Sequence, residues 1–207
     1  MNLKQVAHSA LSRASRPTDP RHNAVAHSAD RVLMTDVSLH GDIGFVLVVH
    51  RRRDGHAAEE IYYGLRDSAG TWQEPDHLSG GLVGIEPGAP DEVLEALRGE
   101  SMAVVSDSES LVPTGRSDSD DGYESVRFLE VLTAPRVDHI EVIDLNRPDA
   151  AAVRRPAPHA LSVLVAFPGE RLLLRAGPGG SDHRSPIRFD GAALAVEGAG
   201  AAADGTS

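Results

Sequence analysis

The hydrophobic pattern is strongest between Gly41 and Trp72. Seven residues, Ile43-Gly44-Phe45-Val46-Leu47-Val48-Val49, run without a polar side chain and lead into Arg51-Arg52-Arg53. Asp54-Gly55 follows, a dipeptide that a type I′ hairpin turn favours because both central residues need φ > 0. The chain returns through Ile61-Tyr62-Tyr63. The pattern predicts a hairpin turning at Asp54-Gly55, with Phe45, Leu47, Val49 and Tyr62 mostly buried.

Weaker strand signals flank it. Residues 31–39 alternate loosely, and Thr71-Trp72-Gln73 reads as a third strand after the turn residues Asp67 to Gly70, giving a meander. Asp67 to Trp72 resembles in part the Asp-box turn of sialidase-type propellers. Its glycine falls three residues after the aspartate rather than two, and the motif stands alone, so a hairpin turn with Trp72 packed in the core is the reading. Residues 78–88 form a glycine-rich connection into one internal helix, 90–98. Pro90 suits its first position, Asp91 and Glu92 suit the positive end of its dipole, and Gly99 suits the residue past its end. Val93, Leu94 and Leu97 make its apolar stripe.

Residues 102–105 are a short strand candidate, and residues 106–121 read as a long, mobile, acidic loop. Strands resume at 126–132, 137–145, 159–167 and 171–175. Leu161, Val163, Val165 and Phe167 alternate as one face of a half-buried strand. Pro168-Gly169 is a type II turn signal that would join 163–167 to 172–174 as a second hairpin. A last strand is expected within 187–196. At the other end, Leu3, Val6, Ala7, Ala10, Leu11 and Ala14 recur at helical spacing.

These elements predict a mainly β protein: an antiparallel β-sandwich or open barrel of nine or ten short strands, with one short internal helix and a helical N-terminal arm. The expected organisation is an arm and linker over 1–28, a single β-rich domain over 29–196, and a disordered Ala/Gly-rich tail over 197–207. A chain of 207 residues with 41% hydrophobic and only 4% aromatic residues must build its core on Val, Leu, Ile and Ala. It has no cysteine, which removes disulfides and thiolate chemistry and fits a reducing cytoplasm. Its apolar runs fall far short of the roughly 20 residues of a membrane span. Residues 3–14 lack the continuous apolar stretch of a secretory signal.

Charge changes the picture more than composition does. The net charge is −11, and residues 100–130 hold eight acids against two arginines, a local net of −6. Residues 1–28 hold four basic residues against one acid, a net of +3. The acidic stretch repels nucleic-acid phosphate and attracts a basic protein, or else serves solubility alone. Asp118, Asp120, Asp121 and Glu124 are the candidate binding residues. Their spacing fails the EF-hand pattern, since glycine comes at the fifth position and Leu129 stands at the twelfth.

Other chemistry finds little support. The ten histidines show none of the HxH, HxxxH or HExxH spacings that aim imidazoles at a metal. His56 with Glu59 and Glu60 is the nearest cluster. No G-x-S-x-G or phosphate-binding loop occurs, and Lys4 is the only lysine. Arg51 is expected to pair diagonally with Glu59 across the hairpin. No cofactor, nucleic acid or membrane partner is expected. Three classes follow: a non-catalytic protein-binding or accessory module with an acidic recognition surface, a small enzyme built from dispersed His, Asp and Glu, and a structural subunit of a larger assembly.

Overall fold

The computed structural model describes residues 2–14, 31–115, 122–177 and 187–191. Helix α1 (Leu3–Ala14) precedes four strands, β1 (Val32–His40), β2 (Ile43–Arg51), β3 (Ala57–Leu65) and β4 (Asp76–Leu82). Helix α2 (Pro90–Leu97) leads to β5 (Met102–Pro113), β6 (Tyr123–Thr133), β7 (His139–Asp144) and β8 (Val153–Pro156). Then come β9 (Leu161–Ala166), β10 (Arg171–Ala176) and β11 (Ile187–Asp190).

The antiparallel strands form three stacked sheets that do not close into a barrel. The first is the meander β1-β2-β3-β4, the central sheet is β5-β6-β9, and the third is β11-β10-β7-β8. Side-chain alternation explains the stacking, because successive residues of a strand point to opposite faces. On β2, Phe45, Leu47 and Val49 face the central sheet, where they meet Phe128, Val163 and Val165. Phe45 and Phe128 pack edge to face with ring centroids 5.3 Å apart. Val46 and Val48 point the other way, onto α1. The unbroken apolar run is therefore a strand covered on both faces. The expected burial of Phe45, Leu47, Val49 and Tyr62 holds.

Strand β9 is also covered twice. Leu161, Val163 and Val165 join the first core, and Leu164 and Ala166 join a second core with Ile140, Leu174 and Phe189. It is thus fully buried rather than half-buried. Helix α2 lays Val93 and Leu97 into the first core, while Leu94 is exposed. Its end turns through two left-handed residues, Arg98 and Gly99. Among the described residues no helix is long and apolar enough to cross a membrane.

Helix α1 docks on its own sheet. Gly44 and Gly64 lie opposite each other on β2 and β3 and leave a notch that Leu11 fills. A methyl group on Gly64 would stand 2.7 Å from Leu11, and one on Gly44 would stand 2.8 Å from the Trp72 ring. Gly44→Ala is expected to lower stability by about 1–3 kcal/mol through overpacking. Urea unfolding checks this, and an unchanged midpoint would mean that the helix is not seated in the notch.

Several local expectations are corrected. The β2–β3 turn is not type I′. Gly55 donates to Arg52 and Arg52 donates to the carbonyl of His56, so three residues form the loop. Gly55 has φ +89°, while Asp54 keeps φ negative, giving a type I turn closed by a left-handed glycine. Trp72 is buried, but its strand pairing is an isolated bridge to Arg66, and the fourth strand is β4, which overlaps the start of the segment expected as a connection. Residues 106–113 belong to β5, paired along β6, rather than to a loop. Strand β8 was not expected. Pro168-Gly169 does form a type II turn, with Gly169 at φ +78° and Glu170 donating to Phe167 over 3.0 Å. It joins two sheets instead of closing a hairpin: β9 pairs with β6, and β10 with β7 and β11. The tail 197–207 and residues 15–28 of the expected arm and linker lie outside the described residues.

One ion pair ties all three sheets together. Asp36 on β1 accepts the Val163 N–H of β9 at 2.8 Å and pairs with Arg155 of β8. Arg155 donates in turn to the carbonyls of Val163 and, at 3.2 Å, Val37.

Candidate functional site

The acidic stretch builds a two-stranded ribbon. Beyond the reach of β9, which pairs with β6 only over 127–132, strands β5 and β6 continue as a hairpin toward Gly115 and Gly122. Thr114 and Gly115 both donate to the Gly122 carbonyl at 3.0 Å and close its described part. Of the four candidate residues, Asp118, Asp120 and Asp121 lie in 116–121, outside the described residues. Glu124 sits on β6, half-buried opposite Val112, and accepts the Thr114 hydroxyl.

The faces of the ribbon follow from register. Ser106, Ser108, Ser110 and Val112 share the face of Val126, Phe128 and Glu130, which looks toward the first sheet. Asp107, Glu109 and Leu111 share the outer face with Tyr123, Ser125 and Arg127. Leu111 is 69% exposed and Tyr123 49%. Arg127 grips Asp107 with two bonds of 2.9 and 2.6 Å, which holds that carboxyl below its ordinary range. Arg127 also donates to the Asp190 carbonyl at 2.7 Å and lies 5.3 Å over the Phe189 ring. The outer face thus presents Leu111, Tyr123 and Glu109, with Asp107 partly neutralised. Glu124 has the parity of the inner face, so it does not stand beside Glu109.

The local charge is also smaller than the sequence count suggests, because Glu130 is buried. It is 5% exposed, between the first and central sheets, and burial together with neighbouring Glu59 pushes its pKa up to about 7. Ser106 hydrogen-bonds to it and partly offsets the rise. Glu59 on β3 is raised as well, first by its own burial. Its carboxylate lies over Gly81, where a methyl group would stand 2.6 Å from Oε1, and its buried Oε2 has no hydrogen-bond partner among the described residues. The sequence reading missed this pair. The available signal was one charged residue inside the run Phe128-Leu129-Glu130-Val131-Leu132.

The other candidates disperse. Glu59 and Glu60 point to opposite faces of β3, and His56 sits in the exposed turn. Glu60 meets His77 at 2.9 Å through Oε2, His50 at 3.6 Å through Oε1, and the Tyr62 hydroxyl at 3.1 Å. The two imidazoles flank the carboxylate on different oxygens and do not converge on one point. Burial and Glu60 push the Tyr62 hydroxyl up to about 12. His139 lies on β7 beside Asp138 and Glu141, each 3.9 Å away, whereas His159 lines a cavity of about 340 Å³ with Pro90, Val93 and Pro135. Among the described residues no three His, Asp or Glu side chains are grouped to hold a metal ion. Arg51 pairs with Glu86 at 2.7 Å rather than with Glu59, which stands opposite Val49.

Comparison of the chain with family models, with curated proteins and with solved structures finds no match.

Proposed function

We propose that this chain is a non-catalytic protein-binding module that takes a basic partner on the outer face and tip of the β5–β6 ribbon. The observation behind this reading is the exposed pair Leu111 and Tyr123, set beside Glu109 and Asp107 on a face that the third sheet leaves uncovered. An apolar anchor rimmed by like charges suits recognition: the anchor supplies affinity, and the charges set association rate and partner choice. Asp118, Asp120, Asp121 and Glu124 add negative charge in and beside the connecting segment. The cysteine-free composition supports the cytoplasm as its compartment.

The test replaces Asp118, Asp120 and Asp121 by Asn and Glu124 by Gln. Proteins captured from the native host by the wild-type chain are identified, and their association rates are measured with both forms. The expected result is a slower association of the variant, and a wild-type rate that falls as salt rises from roughly 50 to 500 mM. Equal rates for both forms across that range would leave the acids as a solubilising feature. Turnover of a small-molecule substrate that needs His139 or His159 would move the protein into the enzyme class.

A further inference from the structure

Among the described residues no strand pairs with the outer edge of β5, and the ladder fixes which of its backbone groups point outward. On β9, the Val163 N–H goes to Asp36 and its carbonyl takes Arg155, so Val163 turns both groups away from β6. Its partner across the ladder, Glu130, therefore directs its own backbone groups toward β5. Phe128, Val126 and Glu124 do the same by alternation, and Ser106, Ser108, Ser110 and Val112 of β5 answer them. Asp107, Glu109 and Leu111 are left with N–H and C=O pointing out of the sheet. Pro113 agrees with this assignment, since a proline fits an edge where its missing N–H would face solvent.

β5 is the longest edge strand among the described elements. An irregular register between Val104 and Ser106 bounds the free stretch at one end and Pro113 bounds it at the other. Between them lies a regular ladder of three outward residues. On the opposite edge of the same sheet the opening is closed at one point: at Val163 the edge of β9 is occupied by the Asp36 and Arg155 side chains.

Resting on the acidic-face reading above, we infer that the outer edge of β5 receives an extended segment of the partner as an added antiparallel strand, with basic residues opposite Asp107 and Glu109 and an apolar residue opposite Leu111. The outward backbone groups supply the ladder and the exposed side chains supply the pattern, as in strand addition to open sheet edges. Charge selects the occupant. A second copy that used all three outward positions in antiparallel register would place Glu109 against its own counterpart, and like charges directly opposite are destabilising. A basic strand turns the same contact into an attraction. Its lysine opposite Asp107 shares that carboxylate with Arg127.

The probe is the labelled, end-blocked heptapeptide Thr-Val-Thr-Lys-Thr-Lys-Thr, followed by fluorescence anisotropy with the full chain. A second peptide is N-methylated on Val and on both Lys, which removes the ladder donors and keeps every charge. The expected result is binding of the first peptide and a loss of about tenfold or more for the second. Asp107→Asn with Glu109→Gln is expected to weaken the first peptide by about tenfold. Leu111→Pro, which deletes one outward N–H without changing charge, should act in the same direction. The peptide comparison decides the matter even if that variant folds poorly. Equal binding of both peptides overturns strand addition and leaves the acidic-face reading standing. No binding of either peptide, while a host partner still needs the acidic residues, also overturns it. A sizing mass of twice 21.9 kDa that Leu111→Pro abolishes would assign the edge to a second copy instead.

Discussion

Arg155→Ala is expected to destabilise the fold by about 3–5 kcal/mol, the range for leaving one partner of a buried ion pair uncompensated. The Arg155 and Asp36 side chains are only 14% and 6% exposed. Removing the guanidinium strands the Asp36 carboxylate between sheets and also frees the carbonyls of Val163 and Val37. Because β1, β8 and β9 belong to different sheets, the loss falls on the stacking and not on any one ladder. Urea unfolding measures it. The double replacement Asp36→Leu with Arg155→Met should recover only the part due to the stranded charge, because it still leaves the Val163 N–H and the Val163 and Val37 carbonyls without these partners. Loss of less than about 1 kcal/mol in Arg155→Ala would show the pair to be as weak as a solvent-exposed one.

Burial decided which elements were legible in the sequence. Strand β2, covered on both faces, wrote an unbroken apolar run, and helix α2 carried its proline, its acids and its terminal glycine. The strands that pattern reading missed are β4, β8 and the distal half of β5, and each is an edge of its sheet. An edge strand buries little, so its side chains are free to be Ser, Asp, Glu, Gly or Arg, the residues that also mark loops. The segment Ser106-Asp107-Ser108-Glu109-Ser110 shows the ambiguity. Its ladder to β6 is regular, yet its composition reads as a loop.

Pairing was harder to read than turn chemistry. Pro168-Gly169 specified its turn correctly, but a turn does not say whether the next strand stays in the same sheet. Asp54-Gly55 was compatible with two turns, because a left-handed glycine closes either one. The candidate site was visible as charge and invisible as shape. Acids at 118, 120, 121 and 124 could be counted, whereas exposure of Leu111 and Tyr123 depends on how far the third sheet extends. Glu130 contributed to the count although it lies inside the molecule.

The position of Glu130 sets a pH dependence of its own. Its ordinary value is 4.5 and its folded value is about 7. Below about 4.5 the folded and unfolded chains both hold the proton, and no stability is lost on this account. Between the two values the unfolded chain has released the proton and the folded chain has not, so stability falls as pH rises. The decline levels off above pH 7 at about 3 kcal/mol, from 1.36 kcal/mol per unit. Glu59 is shifted in the same direction, with Glu60 raising it and His50 lowering it, and Ser106 hydrogen-bonds to Glu130. Glu130→Gln keeps an acceptor for Ser106 and removes the charge. It is expected to raise the melting temperature at pH 8 by roughly 6–12 °C, the equivalent of about 3 kcal/mol in a chain of this size, and to change it little at pH 4.5. Calorimetric scans of both forms across that range check the sign. A gain of equal size at pH 4.5 and pH 8 would assign the effect to packing, and a loss at pH 8 would mean that the carboxylate is stabilised where it lies.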